Sequence, residues 1–255
     1  MKRVLTALVL IPTVTYVILW ANYWVFLSVL LAVTLLCYYE YTTIAKGYGF
    51  GALSLMGYAA GPLLLLLQGE IWPLVTLIAL VALAAGMRAD DLAKTLPRAA
   101  LLLLGVVYVF GCWKFAMPLR EASPHWLMYA LLLNWAGDTG AYYIGRAFGR
   151  HKMAPRVSPK KSWEGAIASL VTAVLVGGAY ISRFVPGVTV LTAIGLTVVA
   201  NAAGQLGDLA ESAIKRGGSV KDSSAILPGH GGFLDRVDST LFTLPVIYLW
   251  IKLAA

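Results

Sequence analysis

The chain has 255 residues and a formal net charge of +8, yet only 13% of its residues are charged while 60% are hydrophobic. A soluble domain carries roughly a quarter charged residues, so this composition excludes an ordinary water-soluble fold and places the chain in lipid. The positive charge names no partner by itself, because membrane chains that keep their basic residues on the cytoplasmic side are commonly basic. No soluble basic module of the kind that binds nucleic acid lies between the apolar runs, so nucleic acid is not expected as a partner.

Apolar runs near the bilayer-spanning length of about 20 residues recur along the chain. They cover residues 4–20, 23–39, 51–67, 71–86, 99–119, 126–144, 166–182, 188–206 and 239–255. The first follows Met1-Lys2-Arg3 and reads as a helix rather than a cleaved leader, since no small-residue cleavage site comes before the next run. The third, fourth and ninth are short and hold Pro62, Pro73 and Pro245, which suits a tilted or re-entrant element among them. Backbone groups in hydrocarbon must pair within their own segment, and the alternation of a membrane barrel is absent. The expected fold is therefore all-α, a polytopic integral membrane protein of about nine transmembrane helices. Cys37 and Cys112 lie within apolar runs and are expected to pack as small hydrophobes.

With Met1 on the cytoplasmic side, 16 of the 20 Lys and Arg residues fall in cytoplasmic segments, from Lys2 and Arg3 through Arg88 to Arg236. Arg120, Arg183 and Lys252 fall on the far side, and Lys114 lies near the outer end of the fifth run, where it can snorkel. This bias orients the chain with its chemistry facing the cytoplasm, as expected of a bacterial inner-membrane protein. Residues 1–125 form a region of apolar helices and short loops. Residues 126–255 hold nearly all the unusual polar residues, concentrated in the loops 145–165 and 207–238.

In the second loop, Asp208, Glu211, Ser212 and Lys215 recur at helical spacing and share one face. Gly217-Gly218, Lys221-Asp222 and Pro228-Gly229-His230-Gly231-Gly232 follow, too rich in breakers to stay helical. The glycines let backbone approach a phosphate and offer it N–H groups. Asp235, Arg236 and Asp238 then open the last helix, where carboxylates suit the positive N-terminal end. One reading makes Asp208 and Asp235 metal ligands brought together from the two helices flanking the loop, because Mg²⁺ needs only one or two carboxylates when substrate phosphates and water complete its shell. The other makes Asp235 and Asp238 helix caps and pairs Asp208 and Glu211 with Lys215 and Arg216. Five carboxylates and a His-Gly-Gly turn within the 31 residues 208–238 of so apolar a chain favour the functional reading.

These residues resemble the signature of the phosphatidate cytidylyltransferase family. The match runs through Ser212, Ile214, Lys215-Arg216, Lys221-Asp222, Pro228, His230-Gly231-Gly232, Phe233, Asp235-Arg236 and Asp238. Asp138, Tyr142, Gly145-Arg146, Phe148-Gly149 and the run SPKKSWEG at 158–165 resemble the family too, with Ser162 where Thr is usual. The resemblance covers the C-terminal half; the first four or five runs match in hydropathy alone. It implies attack by the phosphate of phosphatidic acid on the α-phosphorus of CTP, giving CDP-diacylglycerol and pyrophosphate. It also implies Mg²⁺, with room for a second metal ion, on Asp208 and Asp235, a lipid bilayer as the setting, and a homodimer as a candidate assembly.

An ionised phosphate needs no strong base, so catalysis of this kind reduces to alignment and charge neutralisation. Lys160, Lys161, Lys215, Arg216, Lys221 and Arg236 are candidates for the phosphates. Ser158, Glu164, Asp222, Gly231, Gly232 and Asp238 complete the expected substrate-binding set together with Asp138 and Arg146. Asp138, inside an apolar run, needs a polar cavity or a cationic partner, with Lys160 or Arg146 in reach. His230 reads as a loop-organising hydrogen-bonding residue rather than a base. The alternatives are a membrane lipid kinase or a cytidylyltransferase acting on another lipid phosphate, and an anion transporter whose pathway would be lined by Asp138, Asn201 and Gln205.

Overall fold

The computed structural model describes residues 2–49, 54–87, 91–227 and 231–254. His230, Pro228 and Arg88 lie outside the described residues. Each expected apolar run maps onto a helical rod: α1 Lys2–Leu19, α2 Tyr23–Lys46, α3 Ser54–Leu66, α4 Trp72–Gly86, α5 Leu92–Ala122, α6 Pro124–Phe148, α7 Trp163–Phe184, α8 Val190–Gly217 and α9 Leu234–Ala254. By length and composition α2, α5, α7 and α8 can cross a membrane, and α3 and α4 are shorter apolar helices. The protein is thus a predominantly helical integral membrane protein. One departure from the all-α expectation is an antiparallel hairpin in the loop 145–165, β1 Lys152–Ala154 with β2 Ser158–Ser162.

Local chemistry sets the helix ends. Asn22 Oδ1 accepts from Val25 N at 2.9 Å, Ser162 Oγ from Gly165 N at 3.2 Å, and Thr189 Oγ1 from Thr192 N at 3.2 Å, so α2, α7 and α8 each begin on a capping side chain. Two cations close C-terminal ends. Lys114 donates to Leu65 O at 3.4 Å and to Leu67 O, just past α3. Arg120 donates to Ile18 O at 2.8 Å and to Ala21 O, at the end of α1, while its guanidinium sits 4.5 Å from the Phe26 ring centre. Lys114 therefore turns onto carbonyls left over by a helix end rather than snorkelling away from the protein. Cys37 is fully buried and Cys112 partly so, and both are free thiols, as their apolar surroundings implied.

The tightest helix pair is α6 with α7, followed by α8 with α9. Small residues permit this approach: a Cβ on Gly165 would lie 3.3 Å from Gly145 Cα, and one on Gly137 would lie 2.6 Å from Ser169 Oγ. Thr172 Oγ1 donates across the same interface to Ala136 O at 3.0 Å. Asn134 joins α6 to α9 through Thr243 Oγ1 at 3.2 Å and Thr240 Oγ1 at 3.3 Å. Asn201 donates to Ser169 Oγ at 3.1 Å, and Gln205 donates to Ala166 O at 3.1 Å and to Asn201 Oδ1 at 2.7 Å, so these two amides fasten α8 to α7. The alternative of a transport pathway lined by them gains no support here, because their polar atoms serve the helix interface.

Replacing Gly165 by Leu should force α6 and α7 apart and lower stability by about 1–3 kcal/mol, the usual cost of overpacking. Thermal unfolding of the detergent-purified protein reads this directly. The comparator is Ala202→Leu at an exposed position of α8, which should leave the midpoint unchanged.

Candidate active site

The site is assembled where the C-terminal end of α8, the loop that follows it and the start of α9 meet the end of α2. The end of α8 is fixed by backbone proximity: a Cβ on Gly218 would lie 2.8 Å from Ile44 O, so only glycine fits, and Tyr48 donates to Ile214 O at 2.8 Å. Ser219 then adopts φ 60°, the left-handed conformation that turns the chain back.

The returning loop hangs on one carboxyl group. Glu40 of α2 is fully buried and accepts four hydrogen bonds. Ser224 Oγ at 2.6 Å and Phe233 N at 3.0 Å donate to Oε1, while Ser223 Oγ at 2.8 Å and Leu234 N at 2.7 Å donate to Oε2. Two donors per oxygen fill the acceptor positions of the group, and two of those donors are backbone amides at the start of α9, which would otherwise have no partner. Gly232 makes the fit possible, since a Cβ there would collide with both Ser223 Oγ and Glu40 Oε2.

Asp235, one residue into α9, is held from the other side. Its side chain is only 5% exposed. It accepts from Gly232 N at 2.8 Å, from Ser223 N at 3.0 Å and from Lys215 Nζ. Lys215 also pairs with Glu211, so an α8 lysine bridges two carboxylates from two helices. The Glu211 oxygens have no well-aligned hydrogen bond beyond that ion contact. Asp208, one turn earlier on α8, pairs with Lys161 of β2 at 2.6 Å and lies 3.4 Å from Ser212 Oγ. The expected stripe of Asp208, Glu211, Ser212 and Lys215 is thus real, and its partners come from β2 and α9.

Asp138 stands on α6, on the wall of a cavity that also touches Asp235 and Arg236. The charges acting on it are those of Asp208, Lys161 and Arg236, not the Lys160 or Arg146 that its sequence position suggested. Arg146 instead donates to the Tyr142 hydroxyl at 2.9 Å. Asp238 is buried beside Ser239 N at 2.7 Å and feels Asp208, Glu211 and Asp138. Asp138, Asp208, Glu211 and Asp238 therefore form one negative cluster edged by Lys161, Lys215 and Arg236. Oxygen donors of this kind fit a hard divalent cation. Among the described residues no three acidic, His or Cys groups come together as a ready-made metal cage, so such an ion would draw the rest of its shell from substrate oxygens or water.

Other expected site residues lie apart from this cluster. Glu164 is taken by His151, whose Nδ1 is 2.6 Å from Oε1 and whose backbone N donates at 3.2 Å, so this carboxylate ties the base of the hairpin to α7. Ser158 pairs with Ala154 across the hairpin. Lys160, Lys221 and Asp222 are exposed, and Arg216 donates to Val220 O at 3.1 Å across the turn. Gly231 takes φ 81° beside Asp235. Glu40 was not among the expected residues: the second apolar run ends at residue 39, whereas α2 continues to Lys46 and carries Glu40 inside the helix. A carboxylate within a helical apolar segment was the available signal.

Geometry and sequence agree on a class of protein. The chain belongs to the cytidylyltransferase family, whose model matches residues 1–254. Similar proteins include the phosphatidate cytidylyltransferase of Staphylococcus aureus, 43% identical over 149 residues that make up 58% of this chain and 57% of that protein. The phosphatidate cytidylyltransferase of Haemophilus influenzae is 48% identical over 123 residues, 47% of this chain and 43% of that protein. The chain spans about half the length of the curated relatives it matches.

Ala at position 232 should break the Glu40 contact with the loop and cost about 1–3 kcal/mol, since the methyl group displaces bonded acceptors and leaves buried donors unmet. Limited proteolysis would show the cut rate within residues 219–232 rising together with a lower thermal midpoint. A Gly232→Ala protein indistinguishable from the parent in both would contradict the clamp.

Proposed function

We propose that the chain transfers a cytidylyl group from CTP to phosphatidic acid, giving CDP-diacylglycerol and pyrophosphate, at the cytoplasmic face of a bacterial inner membrane that its nine helices span. The observation that carries this reading is the carboxylate cluster edged by Lys161, Lys215 and Arg236, which reaches, through Asp138 and Arg236, the polar end of a mainly apolar cavity. A soluble nucleotide and a lipid must meet where ionic and apolar surfaces adjoin, and family membership supports cytidylyl chemistry there.

The lipid phosphate is the nucleophile: one of its oxygens forms a bond to the α-phosphorus of CTP as the bond to the β-phosphate bridge breaks, and pyrophosphate leaves. Because that oxygen is already anionic, the side chains need only hold the two phosphates in line and offset their charge. Lys161 and Lys215 are ammonium donors aimed at the cluster, Arg236 supplies a planar guanidinium at the cavity, and Arg216 and Lys221 lie at the surface where a triphosphate arrives. Mg²⁺, the cofactor proposed with this reaction, would be held by Asp208, and by Asp235 only once Lys215 is displaced from it, and would supply charge neutralisation to the phosphates. In the proposed arrangement a second ion is accommodated by the remaining carboxylates, and each chain of a homodimer carries its own site.

Asp208 separates this reading from a structural one. Its side chain is one-third exposed (33%) and its closest partner is the Lys161 side chain, so Asn at 208 should leave the fold intact. Turnover of CTP with phosphatidic acid should fall at least about 100-fold, the order seen on losing one important electrostatic group. EDTA should silence the parent, and Mg²⁺ should restore it. Rates for Asp208→Asn within a few-fold of the parent would reject the ligand role, and full turnover in metal-free buffer would reject the ion.

A further inference from the structure

The cavity that meets the carboxylate cluster has a volume of about 510 Å³ and lies between α1, α2, α5, α6 and the start of α9. Its two ends differ in kind. One end carries Asp138, Asp235 and Arg236. The other is walled by Val17, Ile18, Phe26, Leu30, Leu127 and Leu131, all apolar and all buried. From Leu127 to Asp138 the α6 axis rises about 17 Å at 1.5 Å per residue. That is close to the depth of one leaflet, half of a hydrocarbon core about 30 Å thick.

The deep end is backed by a specific device. Arg120 donates to Ile18 O at 2.8 Å and to Ala21 O, and covers the Phe26 ring at 4.5 Å, so the floor is braced by a guanidinium rather than by side chains free to swing away. The rim is different again: Ile11 is 47% and Val29 38% exposed, which opens the slot sideways between α1 and α2 towards surrounding hydrocarbon. A slot with an ionic end, a lipid-facing rim and a braced apolar floor fits an amphiphile with an anionic head and a hydrocarbon tail.

We propose that this cavity takes one acyl chain of an anionic phospholipid, with the lipid phosphate at the Arg236 end and the chain methyl at Ile18, Phe26 and Leu127, so that the braced floor limits chain length. This rests on the lipid-phosphate reading above. Lipid tails are already in an apolar medium, so the slot adds little affinity by burial. Its discrimination is steric: a chain that outruns the floor must displace a packed, hydrogen-bonded wall or leave the phosphate out of register with the cluster.

The test uses the full chain in lipid nanodiscs with two readouts. In the first, phosphatidic acid bearing a diazirine at the methyl end of one chain is photolysed without CTP, and labelled residues are mapped by mass spectrometry. Label is expected at Ile18, Phe26 or Leu127; label only on outward-facing residues such as Leu191 and Leu253 would overturn the slot. In the second, saturated phosphatidic acids from short to long are compared as substrates for the parent and for Leu131→Trp, which half-fills the slot. Val14→Phe, on the half-buried α1 wall, replaces it should Leu131→Trp not fold. The rate with the longest acid relative to the shortest should fall about tenfold, in line with the discrimination available to an apolar pocket. An unchanged chain-length profile in a folded variant would overturn the proposal. Floor labelling without any cytidylyl transfer would sink the functional reading and leave the slot standing, whereas transfer with no floor labelling would sink the slot alone.

Discussion

Four hydrogen bonds converge on the Glu40 carboxyl group, and the placement of the site's loop depends on them. Two come from serine hydroxyls of the loop and two from backbone amides at the start of α9. In a wholly buried position each of those donors would lose about 1–3 kcal/mol if left without an acceptor. A single α2 side chain therefore anchors both the entry to α9 and the turn before it.

Everything downstream inherits that constraint. With Ser223, Gly232 and Leu234 held by Glu40 or in contact with it, the amides of Ser223 and Gly232 point at Asp235, and Asp235 in turn receives Lys215 from α8. Lys215 joins Glu211 to the same network, one turn past Asp208 with its Lys161. The result is a chain of hydrogen bonds and ion pairs reaching from α2 through the loop and α9 to α8, with the Asp208–Lys161 pair tying α8 to the hairpin. Removing one member of such a network leaves an uncompensated buried charge, which is why its elements act as a unit. The N-terminal helices, which carry few ionic groups, contribute both the anchor and the apolar side of the cavity.

The rods themselves were readable in the sequence because hydrocarbon leaves a helix few alternatives, and nine apolar runs became nine rods among the described residues. The α8 stripe was equally readable, since a helical period places Asp208, Glu211 and Lys215 together whatever surrounds them. What the period cannot supply is the partner across the gap. Asp235 reads as a metal ligand or a cap at a helix start, yet it is enclosed by backbone amides and a lysine brought from 20 residues away. For Asp138 the sequence offered Lys160 or Arg146 as partner, whereas Lys161 and Arg236 act on it in space. The hairpin at 152–162 carries no alternating pattern to announce it, and it forms because Glu164 and His151 close its base. Glu40 escaped because hydropathy ends the second run just before it, while the helix goes on.

The most direct test of the account is amide hydrogen exchange at Phe233 and Leu234 in Glu40→Gln. Gln keeps the size of the side chain but trades an acceptor oxygen for a donor, so it cannot satisfy both amides and both hydroxyls. Hydrogen bonds to such a group are worth about 1.5–3 kcal/mol, so exchange at these two amides should accelerate at least about tenfold. Amides of the α6–α7 pair should keep the parent rate. Parental protection at Phe233 and Leu234 in a folded Glu40→Gln protein would contradict the claim that this carboxyl group holds the site in place.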